Sequence, residues 1–114
     1  MPTPQEDLNV CRNIIDEYDN AILGLLAERR DATLQVASIK ETIGAPTLNE
    51  ARMAEMLATR RTMAAALGLD PDFVEALFRI IHDQSVDDQE VARKQMRTAA
   101  AEAIYLTSPD VHEP

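Results

Sequence analysis

The stretch LLAERRDATLQVASIK, residues 25–40, has the periodicity of an amphipathic helix, yet an arginine lies in its apolar stripe. The stripe starts upstream and advances in alternating steps of three and four residues, through Leu8, Cys11, Ile15, Tyr18, Ile22 and Leu25. This spacing is typical of a helix that packs a heptad seam against another helix. Continued in register, the seam passes through Arg29 and then through Ala32, Val36, Ile39 and Ile43. The function must explain why a guanidinium interrupts the seam.

The composition favours one all-helical domain and excludes several classes of function. The 114 residues are 46% hydrophobic and include three glycines and no tryptophan. The net charge of −9 argues against nucleic acid and anionic membranes as partners. A single cysteine and the absence of a Cys/His cluster argue against an intrachain disulfide and against a metal site. Without a signal-type N-terminus or an apolar run of membrane-spanning length, we expect a cytoplasmic protein.

Helix start and stop signals predict three helices. The first runs from about residue 6 to 42 and ends at Gly44, and the second runs from the N-cap Asn49 to residue 67, before Gly68. Asp70 and Pro71 then start a third helix, which continues toward the alanine-rich residues 99–103. The predicted domain organisation is a disordered N-terminus at 1–5, a helical domain at 6–105 and a flexible tail at 106–114.

The length of the first helix predicts an intertwined homodimer. About 37 residues form a helix roughly 55 Å long, whereas a compact chain of this size has a diameter of about 35 Å. The helix therefore extends beyond any monomeric globule, with an apolar seam along its whole length. A second copy of the chain is the simplest partner to cover that seam.

Cationic side chains recur at spacings that suit one anionic ligand. Arg29 and Lys40 are 11 residues apart, which brings them within ~20° of the same helix face and ~16 Å apart along the axis. Arg12 lies ~42 Å from Lys40 along the same helix, so it can reach the same ligand only from the partner of an antiparallel dimer. On the third helix, Ser85 and Gln89 share a face, and Arg52 opens the second helix.

Each of these residues also has an ordinary interpretation. Arg29 is consistent with a snorkelling side chain or an ion pair with Asp16 or Glu28. Lys40 alone is consistent with a solvated surface lysine, and Ser85 and Gln89 with ordinary polar helix residues. The combination is more specific than its members.

The order and spacing of the motifs resemble the AroQ-type chorismate mutase family. The similar segments are CRNIIDEYDNAILGLLAERRDATLQVASIK, the pattern N-x-x-R at 49–52, and LGLDPDFVEALFRIIHDQSVDDQ. They cover roughly residues 6–95. The resemblance implies an all-helical intertwined dimer in which each site uses an arginine of the partner. It also implies an isomerase that converts chorismate to prephenate without a cofactor.

The resemblance also implies a role for each matching residue. Arg12 of the other subunit and Arg29 would each bind a carboxylate of the small dicarboxylate substrate. Lys40 and Gln89 would bind the ether oxygen from two sides. Arg52 would support the carboxylates or the loop, and Ser85 would lie near the ring carboxylate.

Two positions depart from the family pattern and leave the substrate open. Acidic residues usually stand near the C4 hydroxyl of the substrate, but here the matching residues are Asn49 and Met53. Asn49 is able to accept a hydrogen bond from an ammonium, which would suit 4-amino-4-deoxychorismate in an antibiotic or other secondary-metabolite pathway. In having an apolar residue at position 53, the chain also resembles the related isochorismate pyruvate lyases. The alternative is that Met53 is a neutral packing change. A catalytically silent helical dimer is the remaining alternative.

Overall fold

A computed structural model of the chain describes residues 1–107, which form three α-helices. Helix α1 spans Pro4–Ile43, α2 spans Glu50–Ala66 and α3 spans Pro71–Thr107, and the described range contains no strand. The all-α class and the three-helix order predicted from the sequence are confirmed. By its packing the chain divides into two units, Met1–Ala32 and a second unit that begins at Thr33.

The start of α1 lies two residues before the predicted position because a capping box precedes it. The backbone N–H of Glu6 donates to Oγ1 of Thr3 at 3.1 Å, and the backbone N–H of Thr3 donates to Oε2 of Glu6 at 3.1 Å. This reciprocal pair satisfies two donors at the helix start, and Pro4 occupies the first helical position, where its missing N–H costs nothing. Of residues 1–5, assigned from the sequence to a disordered N-terminus, Pro4 and Gln5 therefore belong to α1.

The C-terminal end of α3 lies beyond the domain boundary expected at residue 105. The helix runs to Thr107, so residues 106 and 107 of the predicted flexible tail are helical. The remainder of that tail, residues 108–114, lies outside the described residues.

The first unit presents its apolar seam to solvent. Within residues 1–32 every side chain is exposed except that of Arg29, which is half-buried. The exposed fractions are 57% for Ile15, 67% for Tyr18, 55% for Ile22 and 63% for Leu25. Cys11, on the same seam, is also exposed. Within this single chain the predicted seam is therefore an uncovered apolar stripe.

Glycines end α1 and α2 in the way that the sequence predicts. Gly44 and Gly68 have φ angles of 70° and 73°, the left-handed region in which a side chain is strained. After α1, the N–H of Ala45 donates to the carbonyl of Lys40 at 3.0 Å, and after α2 the N–H of Leu69 donates to the carbonyl of Ala64 at 2.9 Å. Both are the bonds of a Schellman motif.

The second unit contains the core, in which α2 packs against α3. Its buried hydrophobic residues are Ala37 of α1, Met56, Leu57 and Ala64 of α2, and Val74 of α3. Polar contacts at the edge of this packing join the same two helices. Arg61 pairs with Asp72 at 2.8 Å, and the guanidinium of Arg60 lies 5.6 Å from the centre of the Phe78 ring. The core anchors the helix ends that surround the candidate site.

Candidate functional site

Lys40 lies in the last turn of α1, where its ammonium is held by the following loop. The side chain is half-buried, and its Nζ donates to the backbone carbonyl oxygen of Thr47 at 2.6 Å. A cation near a helix C-terminus also interacts favourably with the negative end of the helix dipole. The solvated surface lysine considered from the sequence is therefore the wrong interpretation, because a specific contact orients this ammonium.

Thr47 is buried and joins Lys40 to α3. While its carbonyl accepts from Lys40, its hydroxyl oxygen accepts from Nη1 of Arg93 at 2.9 Å. Arg93 in turn donates from Nε to Oε2 of Glu41 at 2.7 Å. Both Thr47 and Arg93 are exposed by less than a tenth of their surface. The loop, α1 and α3 thus meet in one hydrogen-bonded cluster, of which Thr47 and Arg93 are buried and Lys40 and Glu41 half-buried.

Glu41 accepts from two arginines that lie one turn apart on α3. Arg97 donates to it from Nε at 2.8 Å and from Nη2 at 3.0 Å, in addition to the bond from Arg93. These hydrogen bonds, first that of Arg97 and then that of Arg93, lower the pKa of Glu41 from 4.5 to about 2. The hydrogen bond to Glu41 raises the pKa of Arg97 above its ordinary value. The carboxylate is therefore ionised at every physiological pH.

A polar stripe runs along one face of α3. His82, Ser85 and Gln89 are spaced by three and four residues, so they lie above one another on the helix. Gln89 is exposed by only 7% of its surface, and neither its Oε1 nor Nδ1 of His82 has a hydrogen-bond partner among the described residues. Ser85 donates from Oγ to the carbonyl of Ile81 at 2.9 Å. Buried polar atoms in proteins normally find a partner, so the two atoms suit a polar ligand or an ordered water.

The residues at the start of α2 have local structural partners. Asn49 is the N-cap, and its Oδ1 accepts from the backbone N–H of Arg52 at 3.0 Å. The guanidinium of Arg52 is exposed and pairs with Glu55 at 3.2 Å, and Met53 is half-buried. The cap occupies one lone pair of the Asn49 oxygen, which is the atom that would accept from the ammonium of the alternative substrate 4-amino-4-deoxychorismate.

Arg12 and Arg29 both belong to the first unit. Arg12 is exposed on α1 and Arg29 is half-buried there, whereas the neighbouring Arg30 is exposed. Lys40, Asn49, Arg52, Met53, Ser85 and Gln89 all belong to the second unit. Within that unit the structure places Lys40 against the loop that leads into Asn49, and Ser85 and Gln89 on one face of α3.

Three residues of the buried cluster were missed in the sequence. Glu41, Thr47 and Arg93 are brought together across 46 and 52 positions, which no helical periodicity reports. The one available signal was the pair Arg93 and Arg97, spaced by four residues in a chain of strongly negative charge. When two cationic side chains on one helix face are buried, an acidic side chain from another part of the protein must pair with them.

No group of histidine, cysteine, aspartate and glutamate side chains within residues 1–107 is arranged to hold a metal ion. None of the described helices combines the length and the apolar character needed to cross a membrane.

The chain matches a known protein family over most of its length. Residues 11–90 match the family described as chorismate mutase type II, and the matched range is more than half of the chain. The chain belongs to the type II chorismate mutase family. All eight residues assigned to the site from the sequence, from Arg12 to Gln89, lie inside the range matched to chorismate mutase type II.

Relatives from bacteria and an archaeon are similar over most of this chain. The T-protein of Enterobacter agglomerans is 39% identical over 79 residues, which cover 69% of this chain and 21% of that protein. The bifunctional chorismate mutase/prephenate dehydratase of Escherichia coli (strain K12) is 30% identical over 93 residues, covering 82% of this chain and 24% of that protein. The chorismate mutase of Methanocaldococcus jannaschii is 30% identical over 92 residues, covering 79% of this chain and 93% of that protein. The chain thus spans about a quarter or less of the two bacterial relatives and nearly the whole archaeal one.

Proposed function

We propose that this chain converts chorismate to prephenate as an intertwined homodimer. The observation that carries the proposal is the type II chorismate mutase match, which spans every residue of the expected site. The names of the Escherichia coli and Methanocaldococcus jannaschii relatives, both of which include chorismate mutase, agree with it.

The proposed reaction is a rearrangement within one molecule. The bond between the ether oxygen and the ring carbon breaks while a C–C bond forms between the terminal methylene carbon of the enolpyruvyl group and the ring, and the ether oxygen becomes the carbonyl oxygen of the new side chain. No proton is transferred, so neither a general base nor a cofactor is needed. The protein must hold the flexible dianion in its compact reactive conformer, and it must stabilise the negative charge that develops on the ether oxygen.

Lys40 and Gln89 are the proposed donors to the ether oxygen. The ammonium of Lys40 has three N–H groups, of which one is directed to Thr47. The other two are able to donate to the substrate. Gln89 is buried, and its Nε2 group is the part of the amide that would donate to the ether oxygen. Its Oε1, an acceptor, would face a donor of the ligand or an ordered water. Donors fixed before the reaction stabilise developing charge without reorganisation.

Arg29 and the Arg12 of a second subunit are the proposed carboxylate-binding groups. A guanidinium suits this task because it binds a carboxylate through two parallel hydrogen bonds. The uncovered apolar seam of residues 8–25 supports the dimer, since exposed apolar patches of this kind mark association surfaces. Arg52 and Ser85 are proposed to support the carboxylates, and Asn49 and Met53 to border the ring. A cytoplasmic location stays a prediction.

A product assay tests this proposal. The purified full chain is incubated separately with chorismate, 4-amino-4-deoxychorismate and isochorismate. The products are separated by liquid chromatography before mass spectrometry, because prephenate and chorismate have the same mass. We expect prephenate from chorismate. Release of pyruvate from isochorismate, or turnover of the amino compound alone, would replace the proposed reaction with one of the two alternatives.

A matched pair of lysine variants ties the activity to the site. Lys40→Ala is expected to lower kcat/KM by about 10²–10³-fold, as for removal of one fixed donor to a developing oxyanion. Lys94, on α3, is the other lysine of the chain and is exposed. Lys94→Ala removes the same charge and should retain the activity. Equal activities in the two variants would contradict the role of Lys40.

A further inference from the structure

We propose that Glu41, Arg93 and Thr47 act as a positioning chain, a set of residues that holds the ammonium of Lys40 where the reaction needs it. The inference rests on the proposed function, because the task of Lys40 is the stabilisation of the ether oxygen. The positioning chain does not contact the substrate in this proposal. It acts through Lys40, to which it is linked by Thr47.

The links of the positioning chain are short and consecutive. Oε2 of Glu41 accepts from Nε of Arg93 at 2.7 Å, and Nη1 of Arg93 donates to the hydroxyl of Thr47 at 2.9 Å. The carbonyl of Thr47 accepts from Nζ of Lys40 at 2.6 Å. Thr47 thus binds two cations, Arg93 of α3 through its hydroxyl and Lys40 of α1 through its carbonyl.

The burial of two members makes this arrangement hard to change. Thr47 is exposed by 7% and Arg93 by 5% of their surfaces. A buried guanidinium stays charged and must be paired and hydrogen-bonded, so Arg93 depends on both Glu41 and Thr47. The position of the Thr47 carbonyl therefore follows from the position of Arg93 on α3.

A flexible lysine benefits from such a fixed acceptor. The four-carbon stem of Lys40 allows many rotamers, and a misplacement of about 1 Å at a reacting centre is able to cost ~10²-fold in rate. The bond to Thr47 selects one position of Nζ and leaves two N–H groups for the substrate. Positioning of this kind affects kcat more than KM, because charge on the ether oxygen develops in the transition state.

Arg97 is a control that separates the ion pair with Glu41 from the link to Thr47. It donates twice to Glu41, as close as 2.8 Å, but among residues 1–107 it makes no hydrogen bond to Thr47. Its side chain is 57% exposed, compared with 6% for Arg93. A purely structural role would depend on both arginines, whereas positioning of Lys40 depends on Arg93.

The test compares Thr47→Val with Thr47→Ser in the full chain. Valine keeps the shape and the backbone carbonyl but removes the hydroxyl that binds Arg93, and serine restores that hydroxyl. Thr47→Val is expected to lower kcat for chorismate by about 10- to 100-fold with a much smaller change in KM. Thr47→Ser should stay close to the wild type. Equal kcat values in the two variants would overturn the positioning chain.

Two further variants separate positioning from folding. Arg97→Gln should retain the wild-type kcat, while Glu41→Gln, which keeps the side-chain shape, should lower kcat in the same direction as Thr47→Val. Circular dichroism determines the folded fraction, by which each rate is divided. If Arg97→Gln lowers kcat as much as Glu41→Gln does, the cluster is merely structural and the inference fails.

The ammonium resonance of Lys40 tests the contact without any activity. The chain has two lysines, so Lys40→Ala assigns the side-chain ¹⁵N signals of both. In Thr47→Val the Lys40 signal should move toward that of the exposed Lys94, and in Thr47→Ser it should not move. An unmoved signal in Thr47→Val would overturn the inference even in an active enzyme. If the wild type shows no turnover, the proposed function fails. A shift of the Lys40 signal in Thr47→Val would then show only the contact between the two residues, not a role in catalysis.

Discussion

Residues 1–32 and residues 33–107 differ in where their apolar side chains lie. In the first unit the seam residues Ile15, Ile22 and Leu25 are more than half exposed. In the second unit Met56 and Leu57 are exposed by 4% each, and a buried cluster of charges joins helix to loop. Both units are helical, so helix formation alone does not distinguish them.

This difference shows which part of the molecule has its own source of stability. Apolar burial is the main favourable term in folding, and most helices in proteins are stabilised by packing rather than by propensity. Residues 33–107 contain such packing. Residues 1–32 display an apolar seam that requires a partner surface, which we propose to be a second copy of the chain.

The largest expected effect comes from a charge in the seam of the first unit. Ile22→Glu places a carboxylate in the proposed dimer interface, where an unpaired charge is costly to bury. We expect the dimer to dissociate at micromolar concentration and the mutase activity to be lost, because each site would lack Arg12 of the other subunit. Light scattering coupled to size-exclusion chromatography measures the mass.

A neighbouring polar position provides the control for this change. Asn20→Glu adds the same charge to α1 outside the heptad seam, so it should leave the mass and the activity unchanged. If the wild type elutes as a folded, active monomer, the proposal that residues 1–32 require a second copy of the chain is wrong.

The next effect concerns the second unit and its polar stripe on α3. Gln89→Glu replaces a neutral amide donor with a carboxyl group that donates to the ether oxygen only when it is protonated. At neutral pH we expect kcat/KM to fall by about 10²-fold. The activity should rise as the pH is lowered, because the protonated fraction of the carboxyl increases and its burial raises the pKa.

The pH profile of kcat/KM measures this effect. Gln95→Glu introduces a carboxyl at an exposed position of the same helix and should leave the profile as in the wild type. A pH-independent loss of activity in the Gln89→Glu protein would mean that the amide acts by packing rather than by donation.

The smallest effect is on acid stability. Because the folded-state pKa of Glu41 is about 2 and its ordinary value is 4.5, its carboxylate stabilises the fold above pH 4.5. That stabilisation is lost as the pH falls from 4.5 toward 2. Glu41→Gln should therefore unfold at a lower denaturant concentration than the wild type at pH 7, and the difference should vanish near pH 2. Urea titrations at several pH values measure it.

Glu102→Gln, a change at an exposed glutamate of α3, is the control for acid stability. The difference in urea midpoint between this variant and the wild type should stay small and constant across the same pH range. A difference for Glu41→Gln that does not depend on pH would show that its ion pairs contribute no net stability.

The helix boundaries could largely be predicted because their signals are local. Asn49 caps α2, Gly68 ends it, and Asp70 with Pro71 starts α3, each within a few residues of the boundary it controls. The predicted start of α1 lies two residues after the observed one, because the reciprocal bonding of Thr3 and Glu6 begins the helix at Pro4. That pattern was present in the sequence and is also local.

The candidate site was less accessible to sequence reasoning because its contacts are distant along the chain. Lys40 and Gln89 follow from helical spacing and from the family resemblance. The partners that orient Lys40 do not, since Glu41 and Arg93 are 52 positions apart and Thr47 lies in a loop. A periodic pattern reports which face a residue occupies, but not which distant side chain meets it.

The loop between α1 and α2, residues 44–49, is tethered at three points, by Gly44 at one end, by the Asn49 cap at the other and by the buried Thr47 between them. Surface loops usually tolerate insertions and deletions. Here a change of length by one residue would move Thr47 out of register with Arg93. The connection between α2 and α3, residues 67–70, has only exposed residues, so an epitope tag inserted there would displace no buried group like Thr47.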